Sequence, residues 1–188
     1  MNKELYSDNH PETTIKNTGY KNKQTAINTI KLIKKRSLRY QFDVINTMYN
    51  RAKYNKYINE NMLEAMDIFI KWLNNYPTKK QKLDEKYKWL DLHKIIKYDH
   101  QIKQYNFNQM TLKFYNVLKT ISSFHKLNYL LIDNKNPSYY DYNSYRILMI
   151  DKLLEIRDKH TLFKQDGNPT KYHLMMIMYG YSPVPNKL

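Results

Sequence analysis

The chain has 188 residues, with 32 Lys and Arg against 17 Asp and Glu and a formal charge of +15. It contains no cysteine, which excludes a disulfide framework, a thiolate metal site and a cysteine nucleophile. A hydrophobic fraction of 41% and an aromatic fraction of 14%, including 19 Tyr, supply the core surface that disordered chains lack, while three Gly and six Pro are too few for a turn-rich β-sandwich.

The predicted elements are helices throughout. Residues 1–18 read as a flexible polar arm. Asn22 is a good N-cap, followed by Ala26, Ile27, Ile30 and Ile33 at helical spacing. This helix is expected to end near Lys35 and Arg36, where cations suit a helix C-terminus. Ser37 caps a second helix, whose stripe of Leu38, Phe42, Ile45, Tyr49 and Ala52 opposes Arg39, Asn46, Asn50 and Lys53. A break at Asn55 to Tyr57 precedes Asn59, the cap of a third helix buried through Met62, Leu63, Met66, Phe69, Ile70 and Leu73 and stopped by Pro77.

A fourth helix is expected from about Lys79 to Lys97 and a fifth from Asn108. Tyr129 to Ile132 reads either as a helix end or as a buried extended piece, and Asn134 to Ser138 as a loop. A sixth helix covers Tyr142 to His160. Asp166-Gly167-Asn168 makes a turn, Pro169 opens a last helix, Gly180 ends it, and residues 183–188 form a loose tail. The fold class is therefore all-α, with about seven helices: a basic three-helix module over 19–76 packed on a C-terminal helical lobe over 77–182.

The opening Met1 to Tyr6 has no apolar segment and does not read as a signal peptide. The apolar run Leu174 to Tyr179 falls far short of the roughly 20 residues of a membrane helix. A non-secreted, cytoplasmic protein with no membrane partner is expected.

Charge is unevenly placed. Residues 16–56 hold eleven basic groups against Asp43 alone, net +10, and 79–126 are net +7, with the mildly acidic 57–78 between them. Lys, Asn, Tyr and Ile are residues of AT-rich codons, so the position of the charge, and of Arg36, Arg39 and Arg51, weighs more than its total. Fields of this kind attract polyanions. Lys31, Lys34, Lys35, Arg36, Arg39, Arg51, Lys53, Tyr54 and Lys56 combine cations with tyrosines, the set that phosphate contacts and base stacking require.

Catalytic patterns are absent from the sequence: there is no phosphate-cradling glycine loop, no dinucleotide fingerprint and no nucleophile elbow. His93 and His100 with Asp99 read as ordinary surface residues, not as a metal site, and no cofactor is implied. Asp151, Glu155 and Asp158 read as a helix face paired with cations. The Met-rich run around Met175, Met178, Tyr179 and Tyr181 reads first as core and second as a partner-binding surface.

Thr18-Gly19-Tyr20, Lys23 to Ala26, and Tyr40 to Tyr54 with its core Asn46-Thr47-Met48-Tyr49-x-Arg51-Ala52-Lys53, followed by Asn61 to Met66 and Phe69-x-Lys71-Trp72-Leu73, resemble a small uncharacterised helical module of giant nucleocytoplasmic DNA viruses. Lys21 stands where members usually carry a second Gly. The resemblance covers about residues 18–76 and implies no activity and no catalytic residues. It implies a viral source, hence a host-cytoplasm, viral-factory or virion location. The expected function is a non-enzymatic nucleic-acid-binding accessory protein. The alternative is a protein-interaction or structural subunit of a virion, a viral factory or a complex handling RNA or translation.

Overall fold

One local device sets several of the helix starts. The side-chain oxygens of Asn22, Asn59 and Asn108 accept the backbone N–H three residues on, at 2.9, 3.1 and 2.8 Å, and Ser37 does the same for Tyr40 at 3.5 Å. Each satisfies a donor that a helix N-terminus leaves open.

The computed structural model describes residues 15–188. Among them run α1 Lys23–Ile33, α2 Leu38–Lys53, α3 Glu60–Asn74, α4 Tyr76–Lys86, α5 Leu92–Ile96, α6 Asp99–Lys103, α7 Gln109–Thr120, α8 Tyr142–Glu155 and α9 Lys171–Met178, with 3-10 turns at Phe124–Asn128, Arg157–Lys159 and Pro185–Lys187. The only β-pairing among the described residues is two isolated bridges, and the chain is all-α. It divides into two units: one through Lys80 together with Asn128–Ser144, the other Gln81–Leu127 with Tyr145–Leu188. The expected division was contiguous; the first unit instead takes in a segment from much later in the chain.

In the first unit, α1, α2 and α3 pack around Ala26, Ile33, Ile45, Ala65 and Phe69. Ile15 joins this core at 5% exposure, so residues 15–18 are not a free arm; the rest of the expected arm lies outside the described residues. Leu63, expected inside, is 49% exposed. Pro77 does not stop the third helix. That helix ends at Asn74, and Pro77 lies in the first turn of α4, where a missing N–H costs nothing.

Leu131 forms an isolated antiparallel bridge with Asp141, while Tyr129 and Leu130 are 41% and 43% exposed, so 129–132 is not the buried piece expected. Ile132 N–H donates to the Tyr140 carbonyl and Tyr142 N–H to that of Leu130, at 3.1 and 2.9 Å, closing a short antiparallel pairing over the expected loop.

In the second unit the expected fourth helix is broken. Its chain leaves helix at Tyr87 and re-enters as α5 after Asp91, and α6, which the sequence does not announce, follows. At the break sits Trp89, which stacks on Phe124 with ring centroids 4.3 Å apart and lies under the guanidinium of Arg146, 3.5 Å from its ring centroid.

Arg146 is buried at 1% exposure. Its Nε donates to the Tyr179 carbonyl at 2.8 Å, and its Nη2 to those of Tyr87 and Gly180 at 3.0 and 3.2 Å. These carbonyls lie at the C-terminal ends of α4 and α9, where the partial negative charge of a helix collects. Two helix ends thus stand in for a carboxylate. Burial still pulls the guanidinium pKa down to about 9.

α9 ends in a Schellman turn: Gly180 N–H donates to Ile177 and Tyr181 N–H to Met176, at 2.8 and 3.0 Å. Gly180 has φ 66°. Pro169 precedes the α9 cap, Thr170, and is not its first residue. The tail is engaged as well: Lys94 Nζ donates to the Pro185 carbonyl at 2.7 Å.

Candidate nucleic-acid interface

The nine basic and aromatic residues named from sequence do not form one cluster. α2 has 16 residues, about 24 Å at 1.5 Å per residue, and they distribute to its two ends. α1 runs back alongside, since Asn55 at the far end of α2 donates to the Tyr20 hydroxyl at 3.4 Å.

At the α1–α2 corner, Arg36 is a correction. Its side chain is buried, and Nε lies 3.1 Å from the Asp141 carboxylate. Nη1 donates to the Pro137 carbonyl at 2.8 Å, and the Tyr40 ring covers the guanidinium at 3.6 Å. Asp141 also accepts the Ser37 N–H at 2.7 Å and the Ser144 N–H at 2.8 Å. One carboxylate therefore serves the starts of α2 and α8, and Arg36 supplies its counter-charge. No phosphate can reach this arginine. A buried charge must be paired and hydrogen-bonded, and the return segment 128–144 provides both.

Arg39 is partly spent as well. It pairs with Asp43 at 3.1 Å, and the Tyr129 hydroxyl donates to the same carboxylate at 2.6 Å. Lys31, Lys34 and Lys35 are exposed. Lys35 Nζ sits 4.6 Å from the centroid of the Tyr139 ring. At the other end, Lys53, Tyr54 and Lys56 are exposed, while Arg51 is half-buried. No ion pair among the described residues reaches Lys31, Lys34, Lys35, Lys53 or Lys56.

Sequence reasoning passed over Tyr57, which is 77% exposed beside Tyr54 at 71%. The available signal was its place in the recognised break next to Lys56.

The partner-binding set is the second correction. Met178 and Tyr179 are fully buried and Tyr181 is 9% exposed; Met175 is half-buried. Tyr179 packs on Phe114 at 4.9 Å and shares a 2.9 Å hydrogen bond with Thr111. A helix apolar nearly all round is a core helix.

His93 and His100 fall on different helices, and Asp99 is held by Lys103, Lys119 and the Tyr115 hydroxyl at 2.7, 2.8 and 3.1 Å. These partners hold its carboxyl well below the usual range. No cluster of three or more metal-ligating His, Asp or Glu side chains occurs among the described residues, and no helix among them is long and apolar enough to cross a membrane.

One serine–histidine contact exists. His173 Nδ1–H donates to the Leu162 carbonyl at 3.1 Å, which leaves Nε2 to accept the Ser182 hydroxyl at 2.9 Å. Ser182 Oγ in turn accepts Val184 N–H at 3.1 Å. Both side chains are buried, so the arrangement fastens the tail to α9. A shallow groove along α7, lined by Gln109, Leu112, Lys113, Asn116, Val117 and Thr120, brings no acid–base pair together.

Comparison with protein-family models, with curated proteins and with solved structures finds no match to this chain. The giant-virus resemblance stands on the quoted residues alone.

Proposed function

We propose that the first unit binds nucleic acid without catalysis, through lysines at both ends of α2. The observation that carries this reading is that Lys31, Lys34, Lys35, Lys53 and Lys56 are exposed and have no carboxylate partner among the described residues. The segment's one acidic residue, Asp43, is already taken by Arg39. A lysine face serving only solubility needs mixed charge and no such concentration; cations without a carboxylate partner at the two ends of a helix about 24 Å long, at 1.5 Å per residue, match the phosphates of a nucleic-acid backbone, which needs point charges and no fixed geometry.

Titration of fluorescently labelled duplex and single-stranded oligonucleotides at low and moderate salt tests this. The expected result is binding that weakens steeply as salt rises, because counterions are released from each neutralised phosphate. Affinity that stays flat with salt, or no binding to either probe, refutes the reading.

A further inference from the structure

We infer that the α2–α3 corner is a stacking platform for unpaired bases, so that the ligand of the surface proposed above is a single strand. The inference rests on that reading and narrows it. Tyr54 and Tyr57 are 71% and 77% exposed, against 41% for Tyr129 and 37% for Tyr139. Tyr129 is spent on Asp43 and lies edge-on to Tyr40, and Tyr139 lies edge-on to Tyr140 at 4.8 Å. Tyr54 and Tyr57 pack on no other ring among the described residues, and each keeps most of its surface in water.

Their backbone is nevertheless fixed. Tyr54 caps α2, its N–H donating to the Asn50 carbonyl at 3.0 Å. Asn55 then holds the turn: its Oδ1 accepts Tyr57 N–H at 2.8 Å, its carbonyl accepts Ile58 N–H at 3.3 Å, and its amide reaches Tyr20. Two large rings on an ordered turn lose little backbone entropy when covered. Leaving them exposed gains the fold nothing, since tyrosine burial is favourable wherever the hydroxyl stays satisfied.

What covers them is decided by charge and shape. Lys53 Nζ is 5.4 Å from the Tyr54 ring centroid and Lys56 Nζ 5.7 Å from that of Tyr57. Each ring thus carries a cation over one face and leaves the other for a base, the pairing of stacking surface and phosphate contact that tracks a single strand. In a duplex the base faces are already stacked on each other and only phosphates are offered, so the rings would contribute nothing.

The test compares a single-stranded oligonucleotide of about fifteen nucleotides with a blunt duplex, by fluorescence anisotropy on the full chain. The variants are Tyr54→Ala/Tyr57→Ala, Tyr54→Phe/Tyr57→Phe and Lys53→Gln/Lys56→Gln. The alanine pair is expected to lose at least about tenfold in single-strand affinity, from roughly 1–3 kcal/mol per stacked base, with duplex affinity and salt slope unchanged. The phenylalanine pair should bind as the parent does, because a ring face remains. The lysine pair should flatten the single-strand salt slope by about 1.4, at 0.7 per phosphate. If the alanine pair keeps its single-strand affinity while the lysine pair weakens binding, the platform is refuted and the nucleic-acid reading survives. If the parent binds neither probe, both fall. If the alanine pair weakens single strand and duplex equally, the rings are not reading unpaired bases and the platform is again refuted.

Discussion

The Arg36 guanidinium lies 3.1 Å from the Asp141 carboxylate, with both side chains within 1% of complete burial. This pair joins residues 105 apart in sequence and moves the most prominent cation of the basic segment from the surface to the frame. Breaking it from one side leaves a buried charge unpaired, at a cost of about 3–5 kcal/mol. Arg36→Met and Asp141→Leu should each lower stability by that order in urea denaturation. The double variant should cost less than the two singles together, because neither charge is then left alone. Additive losses would contradict the pairing.

Gly180 and Gly167 form a matched test of left-handed backbone. Both have positive φ, at 66° and 79°. A Cβ at Gly180 would sit 2.7 Å from the Trp89 ring, whereas at Gly167 nothing lies within 4 Å. Gly167→Ala should cost on the order of 1 kcal/mol, from backbone strain alone. Gly180→Ala should cost clearly more, since Trp89 is clamped between Phe124 and Arg146 and cannot yield. Equal losses in thermal midpoint would show that the ring is free to move.

Acid should weaken the second unit through His173. Burial pulls its imidazole from 6.5 down to about 4, against a smaller upward pull from the Leu162 carbonyl. Above 6.5 the ring is neutral in folded and unfolded chains alike. Between 6.5 and about 4 the unfolded chain takes up a proton that the folded chain excludes, so stability falls as pH falls. The loss is up to about 1.4 kcal/mol per pH unit and on the order of 3 kcal/mol in all. Urea midpoints at several pH values in this window, for the parent and His173→Gln, check it. The variant should show a distinctly shallower decline, and an unchanged one would rule out His173 as the source.

Helix starts were legible because their cause is local. Asn22, Ser37, Asn59 and Asn108 each cap the residue three positions on, within reach of a sequence pattern. The core role of Met176 to Met178 was legible too, since a helix without a polar face has nowhere to go but inside. What stayed hidden depended on distant partners. Arg36 looked like its neighbours Lys34 and Lys35, and only Asp141 and the return segment distinguish it. At the break after α4, Trp89 meets Arg146 and Phe124, from two other parts of the chain. Arg39 is exposed, as its sequence position suggests, and only the Tyr129 hydroxyl on its partner Asp43 comes from far away in the chain.

Under the proposed function, the exposed lysines at the two ends of α2 meet phosphates. The most direct test is the slope of log affinity against log salt for a single-stranded probe, measured for the parent and for a variant with Lys31, Lys34, Lys35, Lys53 and Lys56 changed to Gln. Each lost contact should flatten the slope by about 0.7, so the variant should lose most of its salt dependence while its helical content and unfolding midpoint hold. A variant that keeps the parental slope would show that these lysines do not carry the phosphate contacts.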